Sequence, residues 1–227
     1  MRPADAPPPM LCARELRSRR GGPEGLGPVD FDLHAGQLLH VQGANGSGKT
    51  SLLRMLAGLL RPLGGMVQWQ GRDIRRDPSA YFSRSAFLGH ANGLCAELSA
   101  LENLRYALHV SGTPQDDDAI AATLRAWRLG ACLNTPAARL SQGQGRRLAL
   151  ASVVLGAKPL WLLDEPDAGL DANSLDQLRM TLDAHLANGG AAVVASHRTP
   201  GTAAACTQTL NMDDYADAGY AVSVGVA

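Results

Sequence analysis

The sequence predicts an α/β fold built on a parallel sheet, and three observations carry that prediction. Gly43-Ala44-Asn45-Gly46-Ser47-Gly48-Lys49-Thr50 stands between a short apolar run and a segment with helical periodicity. Residues 160–163 and 191–195 are wholly apolar runs separated by a helical segment, the strand–helix–strand order of a parallel sheet. The 227 residues, 45% hydrophobic and 19% charged, suffice for one large buried core and do not have a disordered composition.

Residues 1–9 are Pro-rich, lack the apolar stretch of a signal peptide, and predict a disordered N-terminus over residues 1–10. Residues 11–71 read as strands and turns around one helix. Val29-Asp30-Phe31-Asp32-Leu33 alternates apolar and polar with period two, as a half-buried strand does. Leu38-Leu39-His40-Val41-Gln42 is bounded by Gly on both sides, as a buried strand would be. Leu52, Leu53, Leu56, Leu59 and Leu60 then line one helix face. Gly64-Gly65 is expected to end that region before a strand over 66–70. Residues 87–138 read as mainly helical, with helices over 98–110 and 119–127 joined by a 112–118 loop. Residues 220–227 alternate apolar and small side chains and read as an edge strand.

Charge and cysteine usage exclude several functions. Lys+Arg is 21 and Asp+Glu is 21, so the chain lacks the basic surplus of a duplex-DNA binder. Cys12, Cys95, Cys132 and Cys206 are scattered without a C-x-x-C pair, which excludes a disulfide framework or zinc site. Reduced thiols in the cytosol are expected. The longest apolar stretch, 148–158, is too short to span a bilayer, so any membrane role is expected to run through a partner.

The glycine-rich segment fits G-x-x-x-x-G-K-[ST] in the strand–helix setting its chemistry requires. Its glycines let consecutive N–H groups converge on a phosphate, and the following helix adds its N-terminal dipole. Lys49 is expected on the β- and γ-phosphates and the Thr50 hydroxyl on Mg²⁺. The nucleotide set runs over Gly43, Ala44, Asn45, Gly46, Ser47, Gly48, Lys49, Thr50 and Ser51. A chance Gly-rich turn is the alternative, but only Lys49 and Lys158 are lysines here, so a motif needing Lys rarely arises by accident.

Leu160-Trp161-Leu162-Leu163-Asp164-Glu165-Pro166 is an apolar strand ending in two acids, at the end where open α/β sheets bind ligands. Asp164 is the candidate Mg²⁺ ligand and Glu165 the general base for an attacking water. By itself the pattern also suits an ordinary strand end, and the phosphate loop decides between the two. Leu140-Ser141-Gln142-Gly143-Gln144 places a serine cap before a helix, where the freed N–H groups also hold phosphate. Alone, any capped helix reads this way.

In order, the phosphate loop, L-S-Q-G-Q, L-L-D-E-P, Ala168-Gly169-Leu170-Asp171 and His197 after an apolar strand resemble the ATP-binding-cassette (ABC) ATPases. The resemblance covers about residues 11–210. It implies a P-loop NTPase (RecA-like) core with a small antiparallel β part, about 11–86 and 139–210, and a helical insert over 87–138, all in one domain over 11–227. It also implies a head-to-tail homodimer, with each ATP between Lys49 of one chain and Ser141, Gly143 and Gln144 of the other. Asp171 would lie in the loop linking the two sites, and His197 would contact the γ-phosphate and orient the attacking water.

The chain departs from the family pattern at four places. His90, in Phe87-Leu88-Gly89-His90-Ala91-Asn92, stands where Gln usually contacts Mg²⁺ and senses the membrane partner, which makes His90 a further candidate ligand. Arg19-Arg20-Gly21-Gly22 stands where an aromatic usually stacks on adenine. Gln142 replaces a commoner Gly, and Gly145 stands in place of Gln in a Gln-Arg-Arg-like continuation after L-S-Q-G-Q. The G-H segment followed by Glu97-Leu98-Ser99-Ala100-Leu101-Glu102-Asn103-Leu104, with that continuation and Trp69 in V-x-W-x-G, resembles the ATP-binding subunits of bacterial haem exporters used in cytochrome c maturation. That implies an ATPase on the cytoplasmic face of the inner membrane, docked on integral membrane subunits that handle haem. The alternatives are an ABC subunit for another cargo, a soluble ABC protein on ribosomes or DNA, and a P-loop kinase. The interval from Lys49 to Ser141 leaves no room for a second cassette or a coiled coil, and a kinase leaves L-S-Q-G-Q unexplained.

Overall fold

In the computed structural model, which describes residues 8–18, 25–202 and 207–215, the apolar runs form the middle of a five-stranded sheet. Its strands are β3 (Leu38–Gln42), β6 (Ser85–Leu88), β7 (Leu160–Asp164), β8 (Ala191–Ala195) and β9 (Thr207–Asn211). They lie in the order β6-β7-β8-β3-β9, and every pairing is parallel. A second, antiparallel sheet of β1 (Leu11–Ser18), β2 (Leu26–Leu33), β4 (Gly64–Trp69) and β5 (Arg72–Asp73) runs in the order β2-β1-β4-β5. The expectations for residues 1–7, Arg19 to Gly22, Cys206 and 220–227 fall outside the described residues.

Period two explains why β7 and β8 contain no polar alternation. Leu160 and Leu162, with Ala191, Val193 and Ala195, face a core shared with the antiparallel sheet and helix α1 (Lys49–Leu56). Trp161 and Leu163, with Ala192 and Val194, face a second core. That core is closed by α3 (Ala100–Val110), α4 (Asp117–Ala126), α5 (Gln142–Gly156) and α6 (Ala172–Ala187). A strand covered on both faces reads as a near-continuous apolar run, broken in β7 only by the terminal Asp164. Each fully buried leucine contributes roughly 1.5–3 kcal/mol. The remaining helix, α2 (Pro78–Phe82), is one short turn capped by Asp77.

Three elements differ from expectation. The helix predicted through Leu60 stops at Leu56, because Gly58 takes φ +70° and turns the chain, leaving Leu59 61% exposed. Gly64-Gly65 does not precede β4 but begins it. Gly65 has φ +78°, and a Cβ there would lie 2.3 Å from the Arg14 carbonyl oxygen, so the close approach of β1 requires glycine. Phe87 and Leu88 end strand β6 on the parallel sheet, where they pair with Leu162 and Leu163, and so do not open the helical segment.

Under this sheet the rings of Trp161 and His185 stack 3.8 Å apart with 7° between planes. A Cβ on Gly190 would lie 2.2 Å from the imidazole. Gly190→Ala is therefore expected to break the stack and cost about 1–3 kcal/mol, read as a lower Tm. Burial holds the His185 imidazole below the usual histidine range. The folded state then binds fewer protons than the unfolded one, so stability is full above the ordinary histidine value and falls as pH drops through the depressed one. Denaturant titrations at neutral pH and one unit below the ordinary histidine value check this; the difference should shrink in His185→Phe.

Candidate active site

The candidate residues gather at the carboxyl ends of the parallel strands, where β8 lies between β7 and β3. After β3 the chain enters the glycine loop, with φ +144° at Gly43, +84° at Gly46 and +103° at Gly48. A Cβ at Gly43 would lie 2.7 Å from Ser47 Oγ, so this turn excludes any larger residue. Gly48 then caps α1 without a side-chain hydrogen bond. The first-turn N–H groups are left for an anion.

Lys49, only 6% exposed, folds back on the loop and donates to the Gly43 and Ala44 carbonyls at 2.7 and 2.9 Å. Sequence reasoning missed Asp213, whose Oδ1 accepts the Ala44 N–H at 3.0 Å. It stands in the short helical turn Met212–Tyr215 after β9. No local pattern marks it, because the contact depends on the pairing of β9 with β3.

Asp164 is 1% exposed, and its Oδ2 has no hydrogen-bond partner. Burial pushes its carboxyl above the usual carboxylate range, and a hydrogen bond from the Thr50 hydroxyl opposes the shift. An orphaned carboxylate oxygen beside a hydroxyl fits Mg²⁺, which takes one or two protein oxygens and completes its shell with phosphates and water.

Glu165, the next residue, has φ +49°. Its N–H donates to the Ala195 carbonyl at 2.7 Å. Its carboxylate lies between two histidines, with Oε2 3.8 Å from His90 Nδ1 and Oε1 3.8 Å from His197 Nε2. The three side chains are 32%, 78% and 51% exposed, so water reaches the carboxylate and the pairs add little stability. His197 Nε2 also donates to Asn45 Oδ1 at 2.9 Å, which joins the histidine to the phosphate loop. His90, Glu165, His197, Asp164 and the loop thus share one centre.

Ser141, Gly143, Gln144 and Asp171 form a second group. Ser141 Oγ accepts the Gln144 N–H at 3.2 Å while Gln144 Oε1 accepts the Ser141 N–H at 2.8 Å, a reciprocal cap on α5. A Cβ at Gly143 would lie 2.7 Å from the Gly169 carbonyl oxygen, so this glycine lets L-S-Q-G-Q rest on the 168–171 loop. Asp171 accepts the Ser174 N–H at 2.8 Å and caps α6; a hydrogen bond from the Ser174 hydroxyl, and then this N–H, hold its carboxyl below the usual range. Among the described residues, no helix is long and apolar enough to cross a membrane.

Comparison with known proteins agrees with this geometry. The family described as ABC transporter matches residues 26–168. The chain is 60% identical over 218 residues to the cytochrome c biogenesis ATP-binding export protein CcmA of Bordetella bronchiseptica, covering 96% of each. Its fold matches an ABC transporter ATP-binding protein from Pyrococcus furiosus at TM-score 0.77 and 24% identity, over 90% of this chain and 98% of that one. It also matches an ATP-binding cassette solved as a dimer bound to ADP and Pi, at TM-score 0.71 and 22% identity, over 83% and 88%. With the phosphate loop, the paired acids and L-S-Q-G-Q all in place, the chain belongs to the ABC transporter family and carries its ATP-binding domain.

Proposed function

We propose that this chain is the ATP-hydrolysing subunit of the exporter used in cytochrome c maturation. It works as a homodimer on the cytoplasmic face of the bacterial inner membrane, docked on integral membrane subunits that handle haem. The observation that carries the hydrolytic reading is the Glu165 carboxylate, set between His90 and His197 and directly after Asp164. The relative of 60% identity, named for cytochrome c biogenesis and export, supports the cargo.

Each residue has a role in this reading. Lys49 leaves the Gly43 and Ala44 carbonyls for the β- and γ-phosphates, a charge-assisted exchange. The loop N–H groups from Gly43 to Ser51 cradle the rest of the phosphate chain. Thr50 and Asp164 hold Mg²⁺, with His90 beside them; bound there, the ion neutralises charge developing on the β- and γ-oxygens. Glu165 accepts the proton of the attacking water. His197 holds the γ-phosphate side and gives up Asn45 to do so. Ser141, Gly143 and Gln144 of the partner subunit close over the same ATP, and Asp171 links the two sites.

Mg²⁺-dependent ATP turnover by the chain purified with its membrane subunits tests this reading; turnover unaffected by chelation would contradict it. His90→Gln is expected to change ATP affinity by no more than about fivefold, given its exposure, while altering stimulation by the membrane subunits. A large loss of ATP affinity would put His90 in the nucleotide site itself.

A further inference from the structure

Arg146 lies one turn into α5, 2% exposed, among positions otherwise filled by Leu148, Ala149, Leu150 and Ala151. Its Nη1 donates to the Gly89 carbonyl at 2.9 Å and to Asn92 Oδ1 at 3.0 Å. Its Nη2 donates to the Glu165 carbonyl at 2.7 Å and to the Asp164 carbonyl. One guanidinium therefore joins three segments. The first is the loop that carries His90, the second is the pair of acids, and the third is the helix that begins at Ser141.

Packing alone does not account for this residue. A buried guanidinium carries a desolvation cost of several kcal/mol that an apolar side chain of similar volume avoids. Burial holds Arg146 below the usual arginine range, which records that cost. What the charge provides is a rigid planar fork that grips four oxygens at once. Two of them belong to the peptide units on either side of the Glu165 backbone turn. Glu165 has φ +49°, a left-handed conformation that a non-glycine residue keeps only when its surroundings hold it there. Arg146 holds the carbonyl side of that turn, and Ala195 O holds the N–H side.

The neighbouring glycine fits the same arrangement. A Cβ at Gly145 would lie 3.1 Å from Asn92 Nδ2 and 3.7 Å from Leu94 Cδ1. Gly145, the departure noted in the sequence, lies against the Asn92 amide whose Oδ1 accepts from Arg146, so a side chain there would crowd that contact.

We propose that Arg146 is a positioning residue: it sets the Glu165 carboxylate and ties it to the His90 loop and to the L-S-Q-G-Q helix. A displacement of the His90 loop therefore reaches the Glu165 backbone through this guanidinium. The proposal rests on Glu165 being the base.

The test uses the full chain with its membrane subunits and compares Arg146→Gln, Arg146→Lys and Asn92→Ala. For each variant, kcat and KM for ATP are measured with the affinity for a fluorescent ATP analogue. Arg146→Gln is expected to lower kcat about 10- to 100-fold, the effect of a misplaced base, with KM and affinity within about threefold. Arg146→Lys should restore part of kcat. Asn92→Ala, which leaves the guanidinium in place, should lower kcat less and weaken stimulation by the membrane subunits. Unchanged kcat in Asn92→Ala and Arg146→Gln would overturn the proposal. So would a loss of turnover matched by equal losses of affinity and Tm, the mark of a purely structural role. If Arg146→Gln fails to fold, Asn92→Ala decides alone. Glu165→Gln is measured alongside, and turnover in that variant would sink the base assignment instead.

Discussion

Glu165→Gln is expected to abolish steady-state ATP turnover, keep ATP binding within about threefold, and collect the chain as an ATP-dependent dimer. A positioned general base contributes typically 10²- to 10⁴-fold, and a carboxamide of the same shape accepts no proton. Little else should change. The Glu165 main chain is held by Ala195 and Arg146 through backbone atoms, which the substitution leaves untouched. Its carboxylate is partly exposed, and both histidines stand 3.8 Å away, so the lost charge pairs contribute little to stability. In the proposed dimer, ATP that is not hydrolysed would hold the closed form until it dissociates. Size-exclusion chromatography with ATP and with ADP reads the dimer, and phosphate release reads turnover. Turnover near wild type would defeat the assignment of Glu165.

Lys49→Ala is expected to weaken ATP binding about 10- to 150-fold, the range for losing one hydrogen bond to a charged group. Lys49 Nζ already stands within the loop, 2.7 and 2.9 Å from two of its carbonyls, and in the proposed reading would exchange them for phosphate oxygens. The substitution also leaves the Gly43 and Ala44 carbonyls without that donor, so a modest fall in Tm should accompany the loss. Calorimetric titration with ATP and ADP separates the two effects. ATP affinity equal to wild type would remove Lys49 from the site.

The parts of this molecule legible in sequence are those where chemistry ties residue identity to a short fixed spacing. Residues 43–48 form the loop between β3 and α1, with Lys49 and Thr50 in the first turn of the helix, and residues 160–165 form β7 with its terminal acids. β7 and β8 were readable because burial on both faces leaves near-continuous apolar runs, 160–163 and 191–195. His90 and His197, each named in sequence for a different contact, stand on either side of the Glu165 carboxylate at 3.8 Å.

Elements that depend on long-range pairing were not readable. β6 is four residues long and mostly half-buried, without alternation, and only its place beside β7 makes it a strand. The leucine spacing ran past Leu56 because periodicity does not register the left-handed turn at Gly58. No local pattern marks the role of Arg146, since its acceptors at Gly89 and Asn92 lie 57 and 54 residues away. Asp213 lies 169 residues from Ala44 and was silent for the same reason.

ATP use by this chain is proposed to drive haem attachment. The direct measurement is haem staining of c-type cytochromes in cells deleted for the chain, with wild-type or Lys49→Ala copies supplied back. The account predicts that mature cytochromes vanish on deletion, return with the wild type, and stay absent with Lys49→Ala. Normal maturation in the deleted cells, or full restoration by Lys49→Ala, would contradict it.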